Sequence, residues 1–105
     1  MRVEMHRYPV RLTDRAEADL RDIHTYLTNV ASPQTARGYV DRIISFLDGL
    51  EQFPLRGSVH AEMRAGLRVI GFERRVSIAF VVSGDVVVIL RILYGGRALS
   101  ADELD

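Results

Sequence analysis

The stretch "RVSIAFVVSGDVVVILRILYGGR", residues 75–97, decides the fold of this chain. Two apolar runs rich in β-branched residues flank the short polar turn "SGD", a pattern typical of two antiparallel strands joined as a hairpin. In the first run, residues 76, 78, 80 and 82 are apolar, which predicts one buried face. The second run, 86–93, is apolar on both faces except for Arg91. We therefore expect it in the interior of a sheet, with the Arg91 side chain aimed at a rim or groove.

Two further strands are predicted on either side of a helical region. "LRVIGF", residues 67–72, precedes the hairpin and is linked to it by the turn "ER". Near the N-terminus, "YPVRL" alternates apolar Tyr8, Val10 and Leu12 with other residues, the period of a half-buried strand. Pro9 cannot donate a backbone hydrogen bond, so this strand should lie at a sheet edge.

Two amphipathic helices are predicted between these strands. The first begins at a cap supplied by Thr13 or Asp14. The second has Ser32 as its N-cap and Pro33 at the first helical position, and Pro54 and Gly57 end it. The apolar positions at helical spacing are Ala16, Leu20, Ile23, Leu27 and Val30 in the first helix and Ala36, Val40, Ile43, Leu47 and Leu50 in the second. We interpret four aromatic residues on the helices as core or helix-to-sheet packing and not as a stacking platform for bases, namely Tyr26, Tyr39, Phe46 and Phe53.

The predicted architecture is α+β in the order β-α-α-β-β-β. A helical hairpin packs on a mainly antiparallel four-stranded sheet, and residues 1–105 form one domain. The segment "SADE" has the form of a capping box, so a short helical turn is expected from Ser100.

Composition excludes several classes of function. The 105 residues include no cysteine, which removes disulfide frameworks and thiolate metal sites. The N-terminal "MRVEMHRYPV" carries charges where a signal peptide needs an apolar core, and no apolar run is long enough to span a bilayer. We therefore expect a cytoplasmic protein without membrane contact.

Charge is divided unevenly along the chain. Residues 14–55 hold four arginines and seven acids, whereas residues 56–97 hold seven arginines and three acids. Arginine presents a planar fork suited to phosphates and carboxylates, so the basic half is a candidate contact surface for a nucleic acid or an acidic partner.

The candidate chemistry lies in the basic half of the chain. The candidate catalytic residues are Arg68, Arg75, Arg91, Tyr94 and Arg97. For Arg91, an internal salt bridge to Glu17, Asp19 or Glu73 would satisfy the charge without any function. His6, His24 and His60 do not stand at a metal-ligand spacing, so no metal or other cofactor is expected.

Ordered motifs over residues 8–98 resemble the RelE/ParE superfamily of toxins from bacterial type II toxin-antitoxin modules, and the ParE branch most. The helix start T-x-x-A-x-x-D-L is met by Thr13, Ala16, Asp19 and Leu20, and the Pro-x-x-Gly stop by Pro54 and Gly57. The ending V-x-H-x-x-R is met by Ile92, Tyr94 and Arg97, with tyrosine where many relatives have histidine.

The resemblance implies a toxin that a cognate antitoxin neutralises by folding over it. A ParE-like toxin would inhibit growth by poisoning DNA gyrase without hydrolysis, whereas a RelE-like relative would cut messenger RNA in the ribosomal A site. A degenerate toxin that only binds antitoxin and supports autoregulation is a third alternative. The tail "RALSADELD" has no tyrosine, histidine or lysine where ribonucleolytic relatives carry a late tyrosine, which favours the gyrase inhibitor.

The expected antitoxin is a partner that folds as it binds, in a complex burying more than about 1,200 Å² in total. The second helix is apolar on more than one stripe, so we expect the antitoxin to pack there and to reach the arginines of the sheet. The predicted antitoxin-binding residues are Arg37, Tyr39, Arg42, Ile43, Phe46, Arg75 and Arg91.

Overall fold

The computed structural model describes residues 8–97 and 99–104. The chain forms the α+β architecture predicted, with one strand more than expected. The elements are β1 (Val10–Leu12), α1 (Asp14–Val30), α2 (Pro33–Asp48), β2 (Ser58–Val59), β3 (Arg68–Phe72), β4 (Val76–Ser83) and β5 (Val86–Tyr94), with short 3₁₀ turns at Gly49–Glu51 and Ala101–Leu104.

The five strands form one sheet in the order β1-β5-β4-β3-β2. Strand β1 pairs with β5 in parallel, Val10 opposite Val87, and the other pairs are antiparallel. The interior position of β5 and the edge position of the strand after Pro9 confirm the sequence predictions. The unpredicted strand β2 has two residues, too few to show the alternation by which a strand is recognised.

Both helices begin where the capping residues predict. The Thr13 hydroxyl accepts a hydrogen bond from the Ala16 amide at 3.1 Å and donates to the Leu90 carbonyl at 3.0 Å, which ties the start of α1 to β5. The Ser32 hydroxyl accepts from the Thr35 amide at 3.0 Å. Helix α2 ends at Asp48, earlier than predicted, and the chain continues as a 3₁₀ turn from Gly49. Apart from proline, glycine has the lowest helix propensity, which accounts for the early end of α2 at Asp48.

The main core lies between the helical hairpin and one face of the sheet. Its buried helical residues follow the predicted stripes, except that Val30 is 60% exposed. The aromatic packing prediction was right for Tyr39 and Phe46, and for Tyr26, which is 51% exposed but contacts the Tyr94 ring of β5. It was wrong for Phe53, which is 63% exposed.

A smaller core covers the opposite face of the sheet. Leu67, Ala79, Leu90 and Leu104 are buried there. The turn Ala101–Leu104, predicted from "SADE", closes this face, and the Arg64 guanidinium donates a hydrogen bond to the Leu104 carbonyl. Among the described residues, no helix has the length and apolarity needed to cross a membrane.

The loop after α2 passes very close to β3. Gly57 has a φ of +80°, and a Cβ placed on it would lie 2.4 Å from the Val69 carbonyl oxygen. Only glycine fits this approach, so the Pro-x-x-Gly segment fixes how the loop returns to the sheet.

Candidate functional site

Three of the five candidate catalytic residues meet at one end of the sheet. We call this region the turn end and define it as residues 72–75 and 94–97. The Arg75 amide donates to the Phe72 carbonyl at 3.2 Å, which closes the β3–β4 turn, and the Gly95 amide donates to the Arg75 carbonyl at 2.8 Å. The turn end therefore holds Arg75, Tyr94 and Arg97 together.

Arg68 lies at the opposite end of β3. It is opposite Phe80, whereas Phe72 at the turn end is opposite Val76. Four residues of extended strand separate Arg68 from Phe72, roughly 13 Å. Arg68 therefore does not join the other candidates.

Arg91 is buried, so the expectation that its side chain reaches a rim or groove was wrong. Its Nε and Nη2 atoms donate to the two carboxylate oxygens of Asp19 at 2.8 and 2.9 Å. Of the three internal partners considered, Asp19 is the one used. The Asp19 carboxylate also accepts the Ile92 amide at 2.8 Å, beyond the point where β1 ends opposite Ile89. Helix α1 thus covers the backbone of β5 that β1 leaves unpaired.

A row of aromatic rings runs from α1 across the turn end to α2. Tyr26 contacts Tyr94 with ring centroids 5.8 Å apart, and Tyr94 contacts Tyr39 at 5.9 Å, edge to face. Tyr39 contacts Phe72 at 6.1 Å, and Phe72 contacts Phe46 at 5.1 Å. These contacts hold the two helices and the end of the sheet in one arrangement.

The hydroxyl of Tyr39 is buried and has no hydrogen-bond partner among the described residues. Burial, helped by the charge of Glu73, raises the pKa of Tyr39 above its ordinary value of 10.0. Tyr39 is therefore a neutral phenol at physiological pH.

An open groove of about 450 Å³ lies between α2 and the β3–β4 turn. We call it the α2 groove. Arg42 donates from Nε and Nη2 to Glu73 at 2.9 and 3.1 Å, and these hydrogen bonds lower the pKa of Glu73. Both side chains are substantially exposed, so this ion pair contributes little to the stability of the fold and is available to a partner at the rim of the groove. The residues lining the α2 groove are Asp41, Arg42, Ser45, Phe46, Phe72 and Glu73.

A second, more enclosed pocket of about 300 Å³ lies between α1 and the end of β5. We call it the α1 pocket. Its lining comprises Asp19, Asp22, Ile23 and Tyr26 from the helix and Ile92, Tyr94, Gly95 and Arg97 from the strand and its exit. The four helical residues occupy positions i, i+3, i+4 and i+7, one face of α1. Asp22 was not among the predicted site residues and Tyr26 was predicted only as a packing residue, although their shared helical spacing is visible in the sequence.

The family model for the "ParE toxin of type II toxin-antitoxin system, parDE" matches residues 10–99. The chain belongs to the ParE toxin family. This ParE-family toxin is similar to a chain of the chromosomal ParDE toxin-antitoxin system from P. aeruginosa, with 28% sequence identity and a TM-score of 0.75, covering 86% of this chain and 98% of that chain. A chain of the RelBE2 toxin-antitoxin complex from Mycobacterium tuberculosis shares the fold, with 22% identity and a TM-score of 0.64 over 90% and 98% of the two chains. No curated protein sequence matches this chain.

The toxin presents only part of the predicted antitoxin-binding set at its surface. Arg37, Arg42 and Arg75 are exposed and Phe46 is half-buried. Ile43 is fully buried, and Tyr39 and Arg91 are nearly so. A partner that docks on the folded toxin does not reach the side chains of Ile43, Tyr39 and Arg91, so we do not include them in the antitoxin-binding surface proposed below.

The histidines of the toxin do not assemble a site in the part of the chain that the structure describes. His24 is exposed on α1, and His60 lies 3.3 Å from the Glu62 carboxylate in a loop. His6 lies outside the described residues. Within those residues no group of three or more histidine, cysteine, aspartate or glutamate side chains could hold a metal ion.

Proposed function

We propose that this ParE-family toxin inhibits growth by binding DNA gyrase in the cytoplasm, and that a cognate antitoxin neutralises it. The match to the ParE family over residues 10–99 supports DNA gyrase, rather than the ribosome, as the proposed target. The observation that carries a binding mechanism is the position of Arg91. Its guanidinium is held inside the fold by Asp19 and does not reach a substrate.

The two candidate arginines at the turn end, Arg75 and Arg97, are poorly suited to catalysis of RNA cleavage. Catalysts of phosphoryl transfer hold their donors rigidly at the place where charge develops in the transition state. Arg75 and Arg97 are both exposed, and no described residue fixes either guanidinium by a hydrogen bond or ion pair. Such side chains suit a binding surface, because they can adapt to a partner as it docks.

The α2 groove is the site that we assign to the antitoxin. Its floor contains the paired rings of Phe46 and Phe72, and its rim carries the Arg42–Glu73 ion pair. An amphipathic antitoxin segment can place an apolar residue in the groove and polar residues against the rim, folding as it binds.

Paired activity assays test the gyrase target. Purified toxin should inhibit supercoiling by gyrase or trap its cleaved DNA complex, while messenger RNA on ribosomes stays intact. Arg97→Ala and Arg75→Ala should each weaken the inhibition at least about tenfold, and Arg21→Ala on the exposed side of α1 should not. Codon-positioned cuts in A-site messenger RNA, abolished by Tyr94→Phe, would refute the gyrase mechanism and establish the endonuclease.

Co-expression with the product of the neighbouring gene tests the antitoxin site. Ser45→Arg places a long charged side chain in the α2 groove, and we expect it to weaken the complex by at least about tenfold, or 1.4 kcal/mol. Gln34→Arg makes the same charge change at an exposed position near the start of α2 and should leave the affinity unchanged. Equal loss in both variants would place the antitoxin elsewhere, and a failure of the native pair to associate would refute neutralisation by that partner.

A further inference from the structure

The α1 pocket contains two charged side chains that form no hydrogen bond or ion pair within the part of the chain that the structure describes. Asp22 and Arg97 both line it and are both exposed. Neither side chain has a hydrogen bond or ion pair with another residue that the structure describes. The other carboxylate of the pocket, Asp19, is already occupied by Arg91 and the Ile92 amide. The pocket therefore offers one acceptor group and one donor group to a ligand.

The wall of the pocket is aromatic. The Tyr26 and Tyr94 rings touch each other at 5.8 Å with their planes 52° apart. This close contact leaves no room for a ligand between the rings, so a flat ligand would stack on their open side. Tyr26 is 51% exposed, an unusual exposure for a ring in an aromatic row, and such exposed rings are the platforms on which bases stack in proteins that bind single strands.

The combination of these groups selects one nucleobase. Guanine carries N–H donors on its Watson–Crick edge, which a carboxylate accepts, and the O6 and N7 acceptors that arginine recognises. Adenine has an acceptor where guanine has its ring N–H donor, and an acceptor facing a carboxylate is repelled. We propose that the α1 pocket binds a guanine base, with Tyr26 and Tyr94 as the stacking wall, Asp22 on the donor edge and Arg97 on the acceptor edge. The volume of about 300 Å³ suits a ligand the size of a single nucleoside.

A phosphate attached to this base would meet a second cation. The Arg75 carbonyl accepts the Gly95 amide at 2.8 Å, and Gly95 lines the pocket. The exposed Arg75 side chain thus starts beside the pocket mouth. The guanine can belong to a free nucleotide or to an unpaired position in a nucleic acid strand, since both present the same base and a phosphate.

This binding activity goes beyond the proposed function. The α1 pocket and the α2 groove share no lining residue, although the aromatic row connects them. A nucleotide and an antitoxin segment can therefore be tested separately on the same chain.

Calorimetric titration of the full chain with GMP, AMP, CMP and UMP tests the proposal. GMP should bind at least about tenfold more tightly than the other three, as expected for one good charged contact to the base. Asp22→Asn should remove most of this preference, and Tyr26→Leu should weaken GMP binding roughly tenfold through lost stacking. Asp41→Asn, which makes the same charge change in the α2 groove, should change neither. Thermal melts of the Asp22→Asn and Asp41→Asn variants should coincide with that of the native chain within a few degrees, because both side chains are exposed. Tyr26→Leu loses the ring contact with Tyr94 and should melt several degrees lower, with a single cooperative transition as evidence that it folds.

Short single strands that contain one guanine or none distinguish the two sources of the base. Tighter binding of the guanine-containing strand than of GMP, lost in Arg75→Ala, identifies a nucleic acid ligand, and equal binding identifies a free nucleotide. Equal affinity for all four nucleotides, or GMP binding that Asp22→Asn leaves unchanged, overturns the proposal. If none of the four nucleotides binds and an arginine-rich peptide binds tightly, the proposal is overturned in favour of a basic protein segment as the ligand.

Discussion

A single carboxylate, that of Asp19, joins helix α1 to strand β5. It accepts three hydrogen bonds, two from Arg91 and one from the Ile92 amide, and both side chains of the ion pair are at least nine-tenths buried. A buried charge is tolerated only when it is paired and fully hydrogen-bonded, so each partner makes the other acceptable inside the core.

Asp19→Asn should therefore destabilise the toxin by about 3–5 kcal/mol, because the Arg91 charge loses its counterion while staying buried. Urea denaturation measures the change in the free energy of unfolding. The m-values of the two proteins should be equal, which shows that only stability has changed. Asp22→Asn, one turn along and exposed, should stay within about 0.5 kcal/mol of the native chain. In the double variant Asp19→Asn with Arg91→Met, no charge is buried and the side-chain amide oxygen at position 19 can still accept the Ile92 amide, so most of the stability should return. A double variant as unstable as Asp19→Asn would show that the cost is not an uncompensated charge.

Tyr39 links stability to alkaline pH. Burial raises the pKa of its hydroxyl in the folded chain above the ordinary 10.0, so the unfolded chain loses this proton first. The folded state is then fully favoured below pH 10 and loses that advantage as pH rises through the raised pKa. Tyr39→Phe should reduce the fall in stability above pH 10, and at pH 7 it should be neutral or up to about 1 kcal/mol stabilising because the hydroxyl has no partner. Unfolding midpoints from pH 7 to 11 test this, and identical slopes for both proteins would contradict it.

At the residue scale, sequence reasoning succeeded where the relevant groups are close along the chain. Arg75, Tyr94 and Arg97 could be grouped because they flank one predicted hairpin. The partner of Arg91 could be narrowed to three acids and no further, since Asp19 lies 72 residues away and only packing brings it near. Tyr26 packs on Tyr94 as predicted, but its place in the α1 pocket was not predicted, because an aromatic residue at helical spacing looks the same whether or not its ring also lines a pocket.

Among the connecting elements, the loop from α2 to β3 depends on one glycine. Gly57→Ala meets both a left-handed φ and a carbonyl oxygen 2.4 Å from the new Cβ, so at least about 2–3 kcal/mol of stability should be lost. Gly84→Ala is the matched control. Its φ is +60°, but nothing lies within 4 Å of the added Cβ, and the loss should stay near about 1 kcal/mol. Thermal and urea unfolding compare the two, and equal losses would mean that the close approach to Val69 relaxes without cost.

The elements that were predicted best are those with local signals. Both helix starts follow from side-chain caps, and four of the five strands, β1, β3, β4 and β5, follow from short apolar or alternating runs. Strand β2 was missed because its two residues become a strand only by pairing with Val69 and Arg68. The end of α2 was placed too late because Leu50 continues the apolar spacing into the 3₁₀ turn.

On the scale of the whole molecule, the hydrophobic pattern determined the layers but not the pairing of the first strand. A central position for β5 follows from its apolar faces, and one of its two neighbours, β4, follows from the hairpin. Nothing local indicates that β1 lies on its other side, in parallel, because that contact joins segments 77 residues apart in the chain. The sequence predicted an edge position for this strand from Pro9, and it did not predict which strand lies beside it.

The pairing of β1 with β5 also sets when the toxin can first exist during its own synthesis. At about 5–20 residues per second, a ribosome needs roughly 4–15 s to extend the chain from the first of these strands to the last. Until then β1 has no neighbour, Asp19 has no Arg91 to neutralise, and one face of the helical hairpin has no sheet to cover it. The nascent chain therefore passes this interval without its turn end or its α1 pocket, and both are assembled only after β5 has been synthesised.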